Sequence, residues 1–159
     1  MNLYFLRHGE ALDGPQYMDH ERPLSRHGLE QAAGVGRFFR EQGIRFDHVF
    51  CSPLLRARQT VEALQREAGV TPIQTSDSLT SSSDPRNILL ELRAIDRENV
   101  LLVGHEPHLS KTVSLLLGLD DRSRVELRTC SLACVATSDG PNPGRGILRW
   151  LIPSTSTLK

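Results

Sequence analysis

Lysine is almost missing from this chain. Lys111 and Lys159 stand against seventeen arginines, and the two types together balance 19 acidic residues to a formal charge of +0. That balance argues against a broad nucleic-acid footprint, yet leaves room for a local basic pocket. Cysteine is scarce as well. Cys51, Cys130 and Cys134 are odd in number and form no CxxC pair, which speaks against a disulfide framework or a metal knuckle and for reduced, buried thiols in a cytoplasmic protein. No apolar run approaches the ~20 residues of a membrane span. The short apolar start runs straight into Arg7, unlike a signal peptide. With 38% hydrophobic and 24% charged residues, the composition predicts one globular domain over residues 1–159.

What is present is a series of short apolar runs, each ending in polar residues. Leu3–Leu6 leads into Arg7, His8 and Gly9, and such a run reads as a buried strand of a parallel sheet. A polar loop over 9–24 follows. Ser25 then reads as the N-cap of a helix to about Gln42, with Leu29, Ala32, Ala33, Gly36 and Phe39 on its inner face and Gly43 as its stop. Phe46–Cys51 reads as a second strand. Ser52-Pro53 reads as the cap and first position of a helix that turns Leu54, Ala57, Val61 and Leu64 inward and stops near Gly69. Ile73 marks a short third strand, and the Ser/Thr-rich stretch 76–84 a solvated connection. Asp84-Pro85 opens a helix carrying Ile88, Leu89, Leu92 and Ile95. Asn99–Gly104 is the clearest buried strand, followed by a helix with Leu109, Val113, Leu116 and Leu117. From Arg124 the pattern turns to strands, with Leu132–Thr137 and Ile147–Ile152 flanking a Gly/Pro loop. The expected fold is a three-layer α/β/α sandwich whose mostly parallel sheet ends in a C-terminal antiparallel hairpin.

Right-handed crossovers bring the strand-to-helix junctions of a parallel sheet to one edge, where ligands of open α/β folds bind. Arg7, His8, Arg56 and His105 therefore converge although far apart in the chain. Two guanidinium forks, two imidazoles and nearby helix N-termini suit a tetrahedral dianion. His20, His27, His48 and His108 read as structural or surface residues. A metal site on His8 and His105 lacks a third ligand close by.

Four stretches carry a resemblance: Arg7-His8-Gly9-Glu10-Ala11, Arg22-Pro23-Leu24-Ser25, Ser52 through Thr60 (SPLLRARQT) and Val103-Gly104-His105-Glu106-Pro107. In this order they resemble the histidine phosphatase superfamily, and most of all its SixA-type phosphohistidine phosphatases. The matching motifs span residues 2 to about 117. The resemblance implies a phosphatase needing no metal or other cofactor, with His8 as the phosphorylated nucleophile and Arg7, Gly9, Arg56 and His105 around the phosphate. Neutral His8 would attack through one ring nitrogen while a backbone carbonyl holds the other. The substrate expected on this basis is phosphohistidine in a signalling protein of the histidine-phosphotransfer type. A small phosphorylated metabolite, or mere phosphoprotein binding without turnover, are the other readings. No acid for the leaving group stands out: Asp19, Glu21 and Glu106 are candidates, with Glu10 a weaker one. Arg22 is placed at the pocket rim or in a pair with Asp19 or Glu21.

Overall fold

A computed structural model describes residues 1–120 and 125–154. The chain builds β1 (Asn2–Arg7), α1 (Arg26–Glu41), β2 (His48–Cys51), α2 (Leu55–Ala68), β3 (Ile73–Thr75), α3 (Pro85–Arg93), β4 (Asn99–Gly104), α4 (His108–Leu117), β5 (Leu132–Thr137) and β6 (Gly146–Ile152), with one-turn 3-10 helices at Asp19–Glu21 and Asp77–Leu79. All six strands form one sheet in the order β3-β2-β4-β1-β5-β6. The first four are mutually parallel, whereas β5 runs antiparallel to β1 and β6 antiparallel to β5. The expected sandwich and its terminal hairpin are both there. Arg124, where the strand pattern was expected to begin, lies outside the described residues.

Period-2 alternation divides the core into two faces. Leu6, Val49, Cys51, Leu101, Val103 and Leu132 point toward α1 and α2. Leu3, Phe5, Phe50, Val100, Leu102 and Val135 point toward α3 and α4. Because both faces of β1 and β4 are covered, their sequences read as unbroken apolar runs. Burial of each such side chain contributes about 1.5–3 kcal/mol, so the central strands are the firmest support a site could have.

Local signals act as expected at several ends. Ser25 Oγ accepts the Gly28 N–H at 3.0 Å, and the Asp84 carboxylate accepts the Arg86 N–H at 2.8 Å. Gly43 and Gly69 close their helices at φ +65° and +63°, a left-handed conformation that glycine takes without strain. Three expectations are corrected. Leu29 faces solvent, and the buried face of α1 is instead Gly28, Gln31, Ala32, Val35, Gly36 and Phe39. Ile95 lies beyond the end of α3, which closes at Ala94. The 76–84 stretch is anchored rather than merely solvated: Ser76 and Ser78 both donate to the Glu91 carboxylate, and Leu79 is fully buried.

Candidate active site

The order β2-β4-β1 sets three strand ends side by side. Adjacent strands lie about 4.7–4.9 Å apart, so residues leaving neighbouring strands at the same level can touch. His8 leaves β1 and His105 leaves β4, and their ring centroids are 4.9 Å apart. Ser52 leaves β2, and its Oγ sits 2.7 Å from His105 Nε2. Ser52 is thus not the cap of α2. That helix begins at Leu55, with Leu54 in the cap position and no side-chain cap bond. The serine instead fixes the His105 ring.

His8 is held from behind. Its Nδ1 lies 2.7 Å from the Gly9 carbonyl oxygen, so the neutral ring carries its proton there and presents a bare Nε2. Arg56, in the first turn of α2, points its Nε at that Nε2 from 3.3 Å. The remainder of the Arg56 fork is engaged as well: Nη1 donates to the Asp19 carbonyl at 2.7 Å and Nη2 to the Asp19 carboxylate at 3.4 Å. Arg7 donates from Nη1 to the Leu127 carbonyl at 3.0 Å, while its buried Nε and the Nδ1 of His105 have no partner among the described residues. Buried polar atoms left unpaired are costly, and these two belong to residues at the ends of β1 and β4.

Burial lowers His8 to about 4, reinforced by Arg56, Arg7 and Arg22 and opposed by the Gly9 carbonyl. Burial likewise lowers His105 to about 3, with His8 and Arg56 adding to the effect. Both imidazoles are therefore neutral at neutral pH in the unliganded site. His105 does not stand ready as a third cation.

A cavity of about 320 Å³ opens over these residues, lined by Arg7, His8, Glu10, Ala11, Arg22, Arg56, Glu106 and Thr129. The expected quartet Arg7, His8, Arg56 and His105 is brought together, with His105 just behind His8 rather than in the cavity wall. Gly9 lies beneath His8, and its N–H donates to Thr60 Oγ1 at 3.1 Å, so it orients the histidine instead of facing the cavity. A side chain at Gly9 would meet the Gly28 carbonyl at 2.6 Å, which explains the glycine. Arg22 lies in the rim and pairs with Asp19 at 3.4 Å.

The four carboxylates separate clearly. Glu21 is 62% exposed and, among the described residues, pairs with His20. For Asp19, burial alone would raise the carboxyl, but Arg56 and Arg22 outweigh it and hold it below the usual aspartate value. Glu10 lines the cavity and accepts the Ser25 hydroxyl at 2.8 Å, tying the loop after β1 to the start of α1. Glu106 lines the cavity half-buried, and burial raises its carboxyl despite the Ser110 hydrogen bonds and Arg7.

Sequence reasoning missed Thr60, Gln31 and Thr129. Thr60 had a signal, one helical turn beyond Arg56 in the same motif. Gln31 accepts the Glu10 N–H at 2.9 Å and donates to Thr129 at 3.2 Å, a long-range bridge with no local signature. His108 is buried in the first turn of α4, and His48 meets Gln74 at 3.0 Å. The three cysteines are buried free thiols, with burial pushing Cys51 and Cys130 to about 12. Among the described residues, no three His, Cys, Asp or Glu side chains are grouped so as to hold a metal, and no helix is long and apolar enough to cross a membrane.

Comparison with known proteins gives the same direction. The model of the histidine phosphatase superfamily (branch 1) matches residues 3–81. An uncharacterised protein of Picosynechococcus sp. is 37% identical, the alignment covering 96% of this chain and 100% of that protein. The phosphohistidine phosphatase SixA of Escherichia coli is 29% identical, with 94% of this chain and 92% of that protein covered. The solved structure of the protein histidine phosphatase SixA complexed with tungstate superposes with a TM-score of 0.87 and 26% identity over 100% of both chains. On these matches, and on the motifs that meet at one sheet edge, the chain belongs to the histidine phosphatase superfamily.

Proposed function

We propose that this chain is a phosphatase that takes the phosphoryl group onto His8 and that its substrate is phosphohistidine on a protein of the histidine-phosphotransfer type. The observation that carries the reading is the His8 ring itself, with Nδ1 on the Gly9 carbonyl at 2.7 Å and Nε2 facing Arg56. Phosphoryl transfer depends chiefly on alignment and charge stabilisation. Nε2 attacks phosphorus in line, the bond to the leaving group breaks with its electron pair, and Arg7 and Arg56 neutralise the equatorial oxygens. His105, fixed by Ser52, supplies a further donor. Water then attacks the phosphohistidine, releasing phosphate and restoring Nε2. The arginines provide the charge that a metal supplies elsewhere.

The similarity to SixA proteins, together with a site built for a phosphoryl group, supports the protein substrate. The test compares turnover of a phosphohistidine-bearing phosphotransfer domain with that of small phosphate esters. Faster release from the phosphoprotein is expected, and activity is expected to survive EDTA. Preference for a small ester, or loss under EDTA that added metal restores, would contradict the reading.

A further inference from the structure

We propose that the Asp19 carboxylate is a tethered anion that competes with the phosphoryl group for Arg56 and Arg22, and so sets how tightly the site holds phosphate. The inference rests on the phosphatase reading above. Arg56 carries Nε and Nη2 along one side of its guanidinium, the side that can clasp two oxygens of an oxyanion at once. Its Nε points at His8 Nε2 from 3.3 Å, whereas Nη2 is taken by Asp19 Oδ2 at 3.4 Å. The second oxygen, Oδ1, meets Arg22 Nη1 at 3.4 Å. One carboxylate thus bridges two of the three arginines that line the cavity.

Position and charge are held by different groups here. Arg56 Nη1 donates to the Asp19 main-chain carbonyl at 2.7 Å, and Arg22 Nε donates to the Leu12 carbonyl at 2.9 Å. Neither guanidinium therefore depends on the carboxylate for its place. The Asp19 side chain is 70% exposed, so it can turn into water without breaking either main-chain bond, and exposed ion pairs of this kind are weak. A phosphoryl group on His8 Nε2 sets its oxygens beside Arg56 Nε and claims Nη2 as well. Asp19 swings out as that group enters and returns as phosphate leaves. Glu10 and Glu106 also line the cavity, but their carboxylates accept from Ser25 and Ser110. Glu21 stands two residues on in the same one-turn helix, with the same charge, and pairs with His20 instead. It provides the control.

The test measures binding of inorganic phosphate to the full chain by isothermal titration calorimetry, in the wild type, Asp19→Asn, Asp19→Ala and Glu21→Gln. Asp19→Asn keeps the carbonyl under Arg56 and the shape of the side chain while removing the charge. Two exposed ion pairs are lost, so phosphate should bind about 3–30-fold tighter, and KM for a phosphohistidine protein should fall with it. Asp19→Ala, which cannot itself donate to the anion, should tighten binding likewise. Glu21→Gln should stay within about twofold of the wild type. A carboxylate whose task is to position Arg56 gives the opposite sign, so weaker phosphate binding and lower turnover in Asp19→Asn would overturn the proposal. Unchanged binding in the Asp19 variants would do the same. So would equal tightening in Glu21→Gln, which would point to general charge instead of the contact at Arg56. Each of these results leaves a phosphatase acting through His8. A wild type that neither binds phosphate nor releases it from phosphohistidine would remove that reading, and this proposal with it.

Discussion

At the amino ends of the strands, Asp47, Asp96, Arg97 and Glu98 line a cleft of about 470 Å³, larger than the 320 Å³ cavity at the carboxyl ends. The larger cleft carries no chemistry of comparable promise. Its Asp47 carboxylate already accepts the N–H groups of Glu98 and Asn99 at 3.1 and 2.8 Å, closing the turn into β4. At the opposite end, Arg7 Nε and His105 Nδ1 have no partner among the described residues, and His8 turns its unprotonated Nε2 toward Arg56. The difference lies in satisfaction rather than size. One end uses its polar groups to hold the fold, and the other leaves two buried nitrogens without a partner among the described residues.

Changing the two ends should sharpen this contrast. The largest effect is expected from Arg56→Lys, because one ammonium cannot reach His8 Nε2, the Asp19 carbonyl and the Asp19 carboxylate together. Phosphatase activity should fall about 10²–10³-fold with the fold intact by circular dichroism. Full activity in a folded variant would misplace this residue.

Acid should have an intermediate effect. His8 and His105 titrate at about 4 and about 3 in the fold, below the 6.5 of a free histidine. Between those values the unfolded chain binds more protons, so stability is fully present above about pH 6.5 and is lost as pH falls toward 4. Tm should drop from pH 7 to pH 4.5, and the slope should be shallower in His105→Asn. A flat wild-type profile would show that these imidazoles are not held neutral by burial. The smallest effect belongs to Asp47→Ala. It should lower stability in urea by at most about 1 kcal/mol, since its bonds are solvent-exposed, and leave turnover unchanged.

Much of this was legible in the chain. β4 and β5 begin and end where their apolar runs do, because both are buried on two faces and bounded by polar residues or glycine. The convergence of His8, Arg56 and His105 followed from strand-to-helix junctions alone. Ser52 misled because Ser-Pro before a helix is a strong capping signal. A residue three positions before the first helical turn was free to serve His105 instead, and only the adjacency of β2 and β4 reveals it. The bond between Arg56 and the Asp19 carbonyl was illegible for a similar reason, since a backbone acceptor in a loop leaves no mark on residue type. Leu29 misled because helical spacing gives a face but not how wide its buried part is.

The most direct test of the central claim is to trap the phosphoenzyme after brief exposure to radiolabelled phosphohistidine protein, in the wild type and in His8→Ala. An acid-labile, base-stable label that maps to the peptide carrying His8 is expected, with neither label nor turnover in His8→Ala. Unchanged phosphate release by a folded His8→Ala protein would contradict it.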